Sequence, residues 1–322
     1  MPEEKVKTLR VAAVQMASKN GEVEANLKRA LPFVEEAAKK GAKLIVLPEF
    51  MPTGYVFTTA IWDGGEPKEG PTVKWLKEHS KRLGVYLGTS FLEADGEDFF
   101  NTFLITTPEG KEAGRVRKQT PAIFEAYFTK GDTGPHIIQT DIGKIGVGIC
   151  YENMLAYMPK LMNQQSPDIY LAPHSAPTPT RGIFVPKQAI EFFNQNLKNL
   201  ATFYSGFLGV PVVFVNKCGE WKTTLPGLPF IPQNSIFPGL SAIADSDGTL
   251  KSQLGKEESI LVEDVPLDPA RKKNVVPPCF RRWSVNVHWS FDLMRLVEVI
   301  GAKWYSMSSE RKRRARKISS GA

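Results

Sequence analysis

A chain of 322 residues, 42% hydrophobic and 23% charged, has the composition of a folded globular protein, with length for one large α/β domain or two ordinary ones. Three cysteines and four scattered histidines exclude a disulfide framework and offer no zinc-site spacing, so no metal is expected. The net charge of +7 is concentrated near one end: Arg311, Lys312, Arg313, Arg314, Arg316 and Lys317 face only Glu310, and the remainder stands close to +2. Such a run reads as a solvated tail, and no nucleic-acid surface is expected of the nearly neutral body.

No stretch approaches the roughly 18 apolar residues of a membrane span. Met1-Pro2-Glu3-Glu4-Lys5 begins no basic-then-apolar leader. A cytoplasmic location with reduced thiols is the expectation.

Taken in order, residues 9–16 (LRVAAVQM) form a buried strand that ends at a polar turn. Residues 24–40 carry Leu27, Ala30, Leu31, Val34 and Ala38 at helical spacing, and Gly41 closes the helix. The next strand, 43–47, runs into Pro48-Glu49-Phe50. A carboxylate just past a buried strand costs desolvation unless paired, so Glu49 either braces structure or sits in a functional cleft. After a loop rich in Thr, Gly and aromatics, including Tyr55, residues 72–83 read as a helix. Residues 85–93 and 99–107 then read as a hairpin.

The segment 110–121 is basic and alone would face solvent, yet Lys118 immediately precedes a proline turn and an aromatic-rich stretch. That setting points one lysine inward, where a compact positive charge stabilises a thiolate or an oxyanion. Two short strands within 137–150 lead to Gly146-Val147-Gly148-Ile149-Cys150-Tyr151-Glu152-Asn153, an apolar and glycine run that delivers a thiol to a cleft edge. Only the thiolate is a good nucleophile, so Cys150 requires partners. Further on come a helix over 155–164, a strand over 168–175 ending at His174, a helix over 187–205, and strands over 211–217, 241–244 and 259–265. From residue 268 an irregular arm leads to a helix over 290–300 and the basic tail. Strand pairs alternating with helices favour a layered α/β sandwich over a barrel.

Other chemistries fit less well. The glycines of 143–148 lie within or before a strand, which disfavours a phosphate cradle. Gly239-Leu240-Ser241-Ala242-Ile243 lacks the second glycine of a serine-hydrolase elbow. Cys218 follows a strand without a matched Glu and Lys and reads as inert. His174 is a rival partner for Cys150 in a thiol–imidazole dyad.

Glu49, Lys118 and Cys150, each at or just past a strand, resemble the Glu-Lys-Cys triad of the nitrilase superfamily, the carbon–nitrogen hydrolases. The matching stretches are Leu47-Pro48-Glu49-Phe50, Lys118 with Pro121, Glu125 and Gly131-Asp132, and Gly148-Ile149-Cys150-Tyr151-Glu152. The resemblance spans roughly residues 9–266. It implies a four-layer α-β-β-α sandwich, a hydrolase domain over 1–267, and a C-terminal arm, helix and basic tail over 268–322 that make oligomer contacts, in a homodimer or larger homo-oligomer. It further implies that Cys150 attacks an amide or nitrile carbon, that Glu49 handles the proton, that Lys118 stabilises developing charge, and that no cofactor is needed. Glu125 matches a second glutamate of the family. Tyr55, Tyr151, Glu152 and His174 are the expected substrate-binding residues. A small amide or N-carbamoyl compound is the favoured substrate class, a nitrile the alternative, and a catalytically inactive binding protein with a basic tail the non-enzyme rival.

Overall fold

The structure is a computed structural model that describes residues 6–182 and 185–321. β1 (Lys7–Gln15) is followed by α1 (Val23–Lys39), β2 (Leu44–Val46), α2 (Pro71–Leu83), β3 (Tyr86–Asp95), β4 (Asp98–Thr106) and β5 (Glu112–Arg117). The second half comprises β6 (Ile137–Thr140), β7 (Gly143–Val147), α3 (Tyr157–Gln165), β8 (Ile169–Pro173), α4 (Lys187–Leu208) and β9 (Val212–Val215). Then come β10 (Cys218–Leu225), β11 (Leu228–Pro238), β12 (Ala242–Ala244), β13 (Leu250–Gln253), β14 (Ser259–Leu267), α5 (Ser290–Met307) and α6 (Ser309–Ser319).

Two six-stranded sheets result, in the orders β14-β1-β2-β3-β4-β5 and β13-β12-β9-β8-β7-β6. In each, three central strands run parallel: β1, β2 and β3 in the first, β7, β8 and β9 in the second. Antiparallel strands flank them. The period-2 alternation of β1 explains the layering. Val11 and Ala13 point into the core shared with Val147, Leu171 and Val213 of the second sheet. Ala12 and Val14 point the other way, against Leu27, Ala30 and Val34 of α1. Both faces of β1 are thus covered, so its sequence is almost continuously apolar. With α1 and α2 on the first sheet and α3 and α4 on the second, the expected four-layer α-β-β-α sandwich is the observed fold.

Four strands lie where no strand was expected. β5 carries Arg115 and Arg117, whose charges are neutralised by buried Glu93 at 2.9 and 3.0 Å, so a basic segment takes an edge position. β10 and β11 form a separate antiparallel ribbon. Prolines at 229, 232 and 238 weaken a strand reading, yet a two-stranded ribbon leaves backbone N–H positions without a ladder partner, and there proline is tolerated. β13 (Leu250–Gln253), with three polar residues out of four, pairs with β12.

The basic tail also departs from expectation. Residues 311–317 belong to α6, which is docked on the body through Arg311 and Ala315 and leaves Arg313, Arg316 and Lys317 exposed. Arg311 is 3% exposed and binds Asp98 at 2.5 Å, Arg314 binds Asp63 at 2.5 Å, and Arg316 pairs with Glu97. Three of the six cations thus meet acidic partners, two on the β3–β4 hairpin and one at Asp63 in the turn 59–64, so part of a run that looked like excess charge is paired in place. α5 packs against the body through Tyr305, whose hydroxyl accepts from the Phe99 N–H at 2.8 Å, and Trp304, which stacks on Trp62. Among the described residues no helix is long and apolar enough to cross a membrane.

Candidate active site

The central parallel strands of both sheets end at one place, and the loops beyond them carry the polar residues. Glu49 follows β2, Cys150 follows β7, His174 and Ser175 follow β8, and Lys217 follows β9. Lys118 comes directly after β5, and Asn101 projects from β4.

Lys118 is fully buried between two carboxylates. Its Nζ donates to Glu49 Oε1 at 2.8 Å and to Glu125 Oε2 at 2.6 Å. Asn101 Nδ2 bridges the same pair, donating to Glu49 Oε1 at 2.7 Å and to Glu125 Oε1 at 3.0 Å. The second oxygen of Glu49 accepts from the Ser175 N–H at 2.7 Å, and Glu125 also accepts from the Ala122 N–H and the Tyr55 hydroxyl. Charges removed from water need such saturation of their lone pairs.

Cys150 opens a single 3-10 turn, Cys150–Met154, with φ of 55°. A non-glycine residue in the left-handed region is strained, and the surroundings must hold it. Glu152 does so: it accepts from the Ile149 N–H at 2.8 Å, the Gln119 N–H at 2.7 Å and the Tyr157 hydroxyl at 2.8 Å. Asn153 Nδ2 ties the turn to the carbonyls of Gly148 and Cys150. At Gly148 a Cβ would stand 1.9 Å from Tyr170 Oη and 2.7 Å from Asn153 Oδ1, so only glycine fits beneath the thiol.

The protonation pattern follows from burial and charge. Burial raises the Glu49 pKa, but the Lys118 charge and hydrogen bond outweigh it and leave Glu49 below the ordinary carboxylate range. Glu125 is shifted up, by burial and by the neighbouring Glu49 charge. Burial works against charge on Lys118, but the two carboxylates hold it firmly as an ammonium. Cys150 is pushed well above a free thiol by burial and by the Glu49 charge. The resting arrangement is a neutral thiol beside an ionised carboxylate.

The thiol faces a cavity of about 430 Å3. Tyr55, Tyr151 and His174 line it. Glu152 does not; its carboxylate is turned into the protein, where it braces the cysteine turn, and this corrects its expected substrate contact. His174 makes no dyad with Cys150 among the described hydrogen bonds. Its Nδ1 donates to the Ala172 carbonyl at 2.9 Å, and burial lowers its pKa to about 4, which leaves the ring neutral. Cys218 is buried with its pKa pushed up to about 12, first by burial and then by the Glu258 charge, so its thiol is held protonated.

Three polar residues at the site were not singled out from the sequence. Asn101 is the one amide inside the apolar strand β4, a signal in itself. Ser175 supplies its backbone N–H, which no side-chain pattern reveals. Lys217 is fully buried, donates to the Phe50 carbonyl at 2.8 Å, and burial lowers its pKa to about 7 despite the nearby Glu49 and Cys150. Its position straight after a buried strand parallels that of Glu49. Among the described residues no three His, Cys, Asp or Glu side chains are grouped to hold a metal ion.

The carbon-nitrogen hydrolase family model matches residues 10–273. An N-carbamoylputrescine amidase of Solanum lycopersicum is 29% identical over 282 residues, covering 84% of this chain and 90% of its own length. A nitrilase of Pyrococcus abyssi is 29% identical over 272 residues, covering 83% and 93%. A solved carbon-nitrogen hydrolase from Helicobacter pylori G27 superposes with a TM-score of 0.71 at 18% identity, covering 94% of this chain and 96% of its own. With two sheets enclosing one buried Glu-Lys-Cys cluster and a family match over most of its length, this chain belongs to the carbon–nitrogen hydrolases.

Proposed function

We propose that the protein hydrolyses the carbon–nitrogen bond of an amide or N-carbamoyl compound, with Cys150 as nucleophile, Glu49 as general base and acid, and Lys118 as the electrostatic stabiliser. The observation that carries this reading is that Glu49, bonded by Lys118 at 2.8 Å, lies beside the Cys150 thiol inside a closed polar cluster. The thiol proton moves to Glu49 as the sulfur–carbon bond forms, and the charge developing on the carbonyl oxygen is met by Lys118 and the Tyr151 N–H. Glu49 passes the proton to the departing nitrogen, the carbon–nitrogen bond breaks, and ammonia or amine leaves a thioester. Glu49 then deprotonates a water that attacks the thioester, the sulfur–carbon bond breaks, and the proton returns to the thiolate while the acid is released. Glu125 holds Lys118 on its far side and is a positioning residue.

Nitrile hydrolysis is the second reading, favoured by the Pyrococcus abyssi nitrilase, which is as similar as the amidase relative. Matched amide and nitrile substrates assayed for ammonia separate the two. Release from amides in wild type and not in Cys150→Ala is the expected result; turnover of nitriles alone reverses the order, and turnover of neither removes the proposal.

The same reading takes residues 1–267 as the hydrolase domain and 268–322 as its arm, in a cytoplasmic homo-oligomer. Apolar side chains exposed on α5, among them Leu296 at 66% and Met307 at 73%, support assembly. Sedimentation of the whole chain as a monomer would remove that part.

A further inference from the structure

Resting on the hydrolase reading, we propose that the substrate is an amide carried on a bulky, uncharged apolar group, aryl or long alkyl, and that cationic amides are rejected. The cavity in front of Cys150 is far larger than a carboxamide needs. At about 430 Å3 it falls within the range of sites that enclose drug-sized ligands. Its wall is built from aromatic and aliphatic side chains brought together from distant parts of the chain: Phe57 on a loop, Phe124 on the 3-10 turn Ile123–Tyr127, Phe193 and Leu200 on α4, Trp221 on β10, and Phe291 on α5.

Charge in the wall is as informative as its apolar area. The described lining contains no Asp and no Glu. Its one formally charged side chain is Arg181, exposed on the outer side, because His174 is held neutral by burial. The carboxylates nearest the thiol, Glu49 and Glu125, are committed to Lys118 and Asn101 and do not line the cavity. An ammonium group entering this chamber would lose its hydration and find no counter-charge, whereas a phenyl or alkyl chain would gain by leaving water. Polar groups on the wall, Asn196, Thr178 and Gln233, are neutral and orient without selecting charge.

Binding is measured on Cys150→Ala, which removes turnover from the readout, by calorimetric titration with γ-phenylbutyramide, γ-aminobutyramide and acetamide. The expected order is γ-phenylbutyramide first, tighter than acetamide by on the order of tenfold to hundredfold, with γ-aminobutyramide weakest. Equal or tighter binding of the cationic amide overturns the inference. A second variant, Cys150→Ala with Gln233→Glu, places a carboxylate on the wall at nearly unchanged volume. It is expected to strengthen γ-aminobutyramide binding by about tenfold while leaving γ-phenylbutyramide within about twofold. No change in either ligand would show that they bind elsewhere and overturn the assignment of this chamber. Wild-type turnover of the same three compounds is assayed in parallel: absent hydrolysis with the expected binding order sinks the amidase reading alone, and hydrolysis without apolar preference sinks this inference alone.

Discussion

Replacing Lys118 by methionine would remove the one cation between Glu49 and Glu125 while roughly keeping its volume. Both carboxylates are buried, share Asn101, and in the variant would face each other with no counter-charge. Breaking a buried ion pair from one side costs about 3–5 kcal/mol, because the partner left behind is unpaired and desolvated. The deficit must depend on pH, since a proton on either carboxyl relieves it. In the wild type the lowered pKa of Glu49 contributes stability that is present above its unfolded pKa and lost as pH falls through the folded one; the raised pKa of Glu125 works in the opposite sense. In the variant both carboxyls are raised, the folded state binds more protons than the unfolded, and stability falls as pH rises. Urea unfolding followed by the fluorescence of buried Trp62 and Trp283 should show the full deficit near pH 8 and a substantial recovery near pH 5. A deficit equal at both pH values, or below about 1 kcal/mol throughout, would refute the buried triad as described.

Further expectations concern chemistry, the cysteine turn and the tail. Glu49→Gln should lower kcat by about a hundredfold to ten-thousandfold, the range for loss of a general acid–base, and should trap acyl-enzyme detectable by intact mass; near-wild-type turnover would assign the proton transfer elsewhere. Gly148→Ala, with its Cβ 1.9 Å from Tyr170 Oη, should cost about 1–3 kcal/mol in urea unfolding and reduce turnover by displacing the thiol, and a variant as active and stable as wild type would contradict the packing. Because the pKa of Lys217 is lowered to about 7, the folded state binds fewer protons than the unfolded above that pH. Wild-type stability should therefore rise relative to Lys217→Met as pH increases from about 7 toward 10, and parallel profiles would refute this. Arg311→Ala should destabilise by about 1–3 kcal/mol without altering KM, since Arg311 is bound to Asp98 and not offered to a polyanion; a loss confined to nucleic-acid affinity would restore the rival reading of a binding protein with a basic tail.

The sandwich was legible because its central strands state their environment in composition. Residues 9–16, 43–47 and 211–217 are apolar on both faces, as strands covered by a helix on one side and a sheet on the other must be. Glu49 and Cys150 were legible because each ends such a run with a group that is costly to bury without a purpose, and Lys118 because it precedes a proline turn and an aromatic-rich stretch. Strands such as β5, β10 and β11 were not, because charge neutralisation by Glu93 and pairing in a lone ribbon depend on partners distant in the chain.

By itself, the sequence determined which residues carry reactive groups and which segments must be inside, since both follow from side-chain chemistry and local periodicity. Tertiary structure decided the rest: that Glu152 braces the cysteine turn instead of meeting substrate, that Asn101 and Ser175 complete the carboxylate's bonding, and that three arginines of the basic helix are paired at Asp98, Asp63 and Glu97. Those outcomes rest on distances between residues far apart in the chain, and electrostatic and hydrogen-bond energies are set by distance and burial, which composition does not encode.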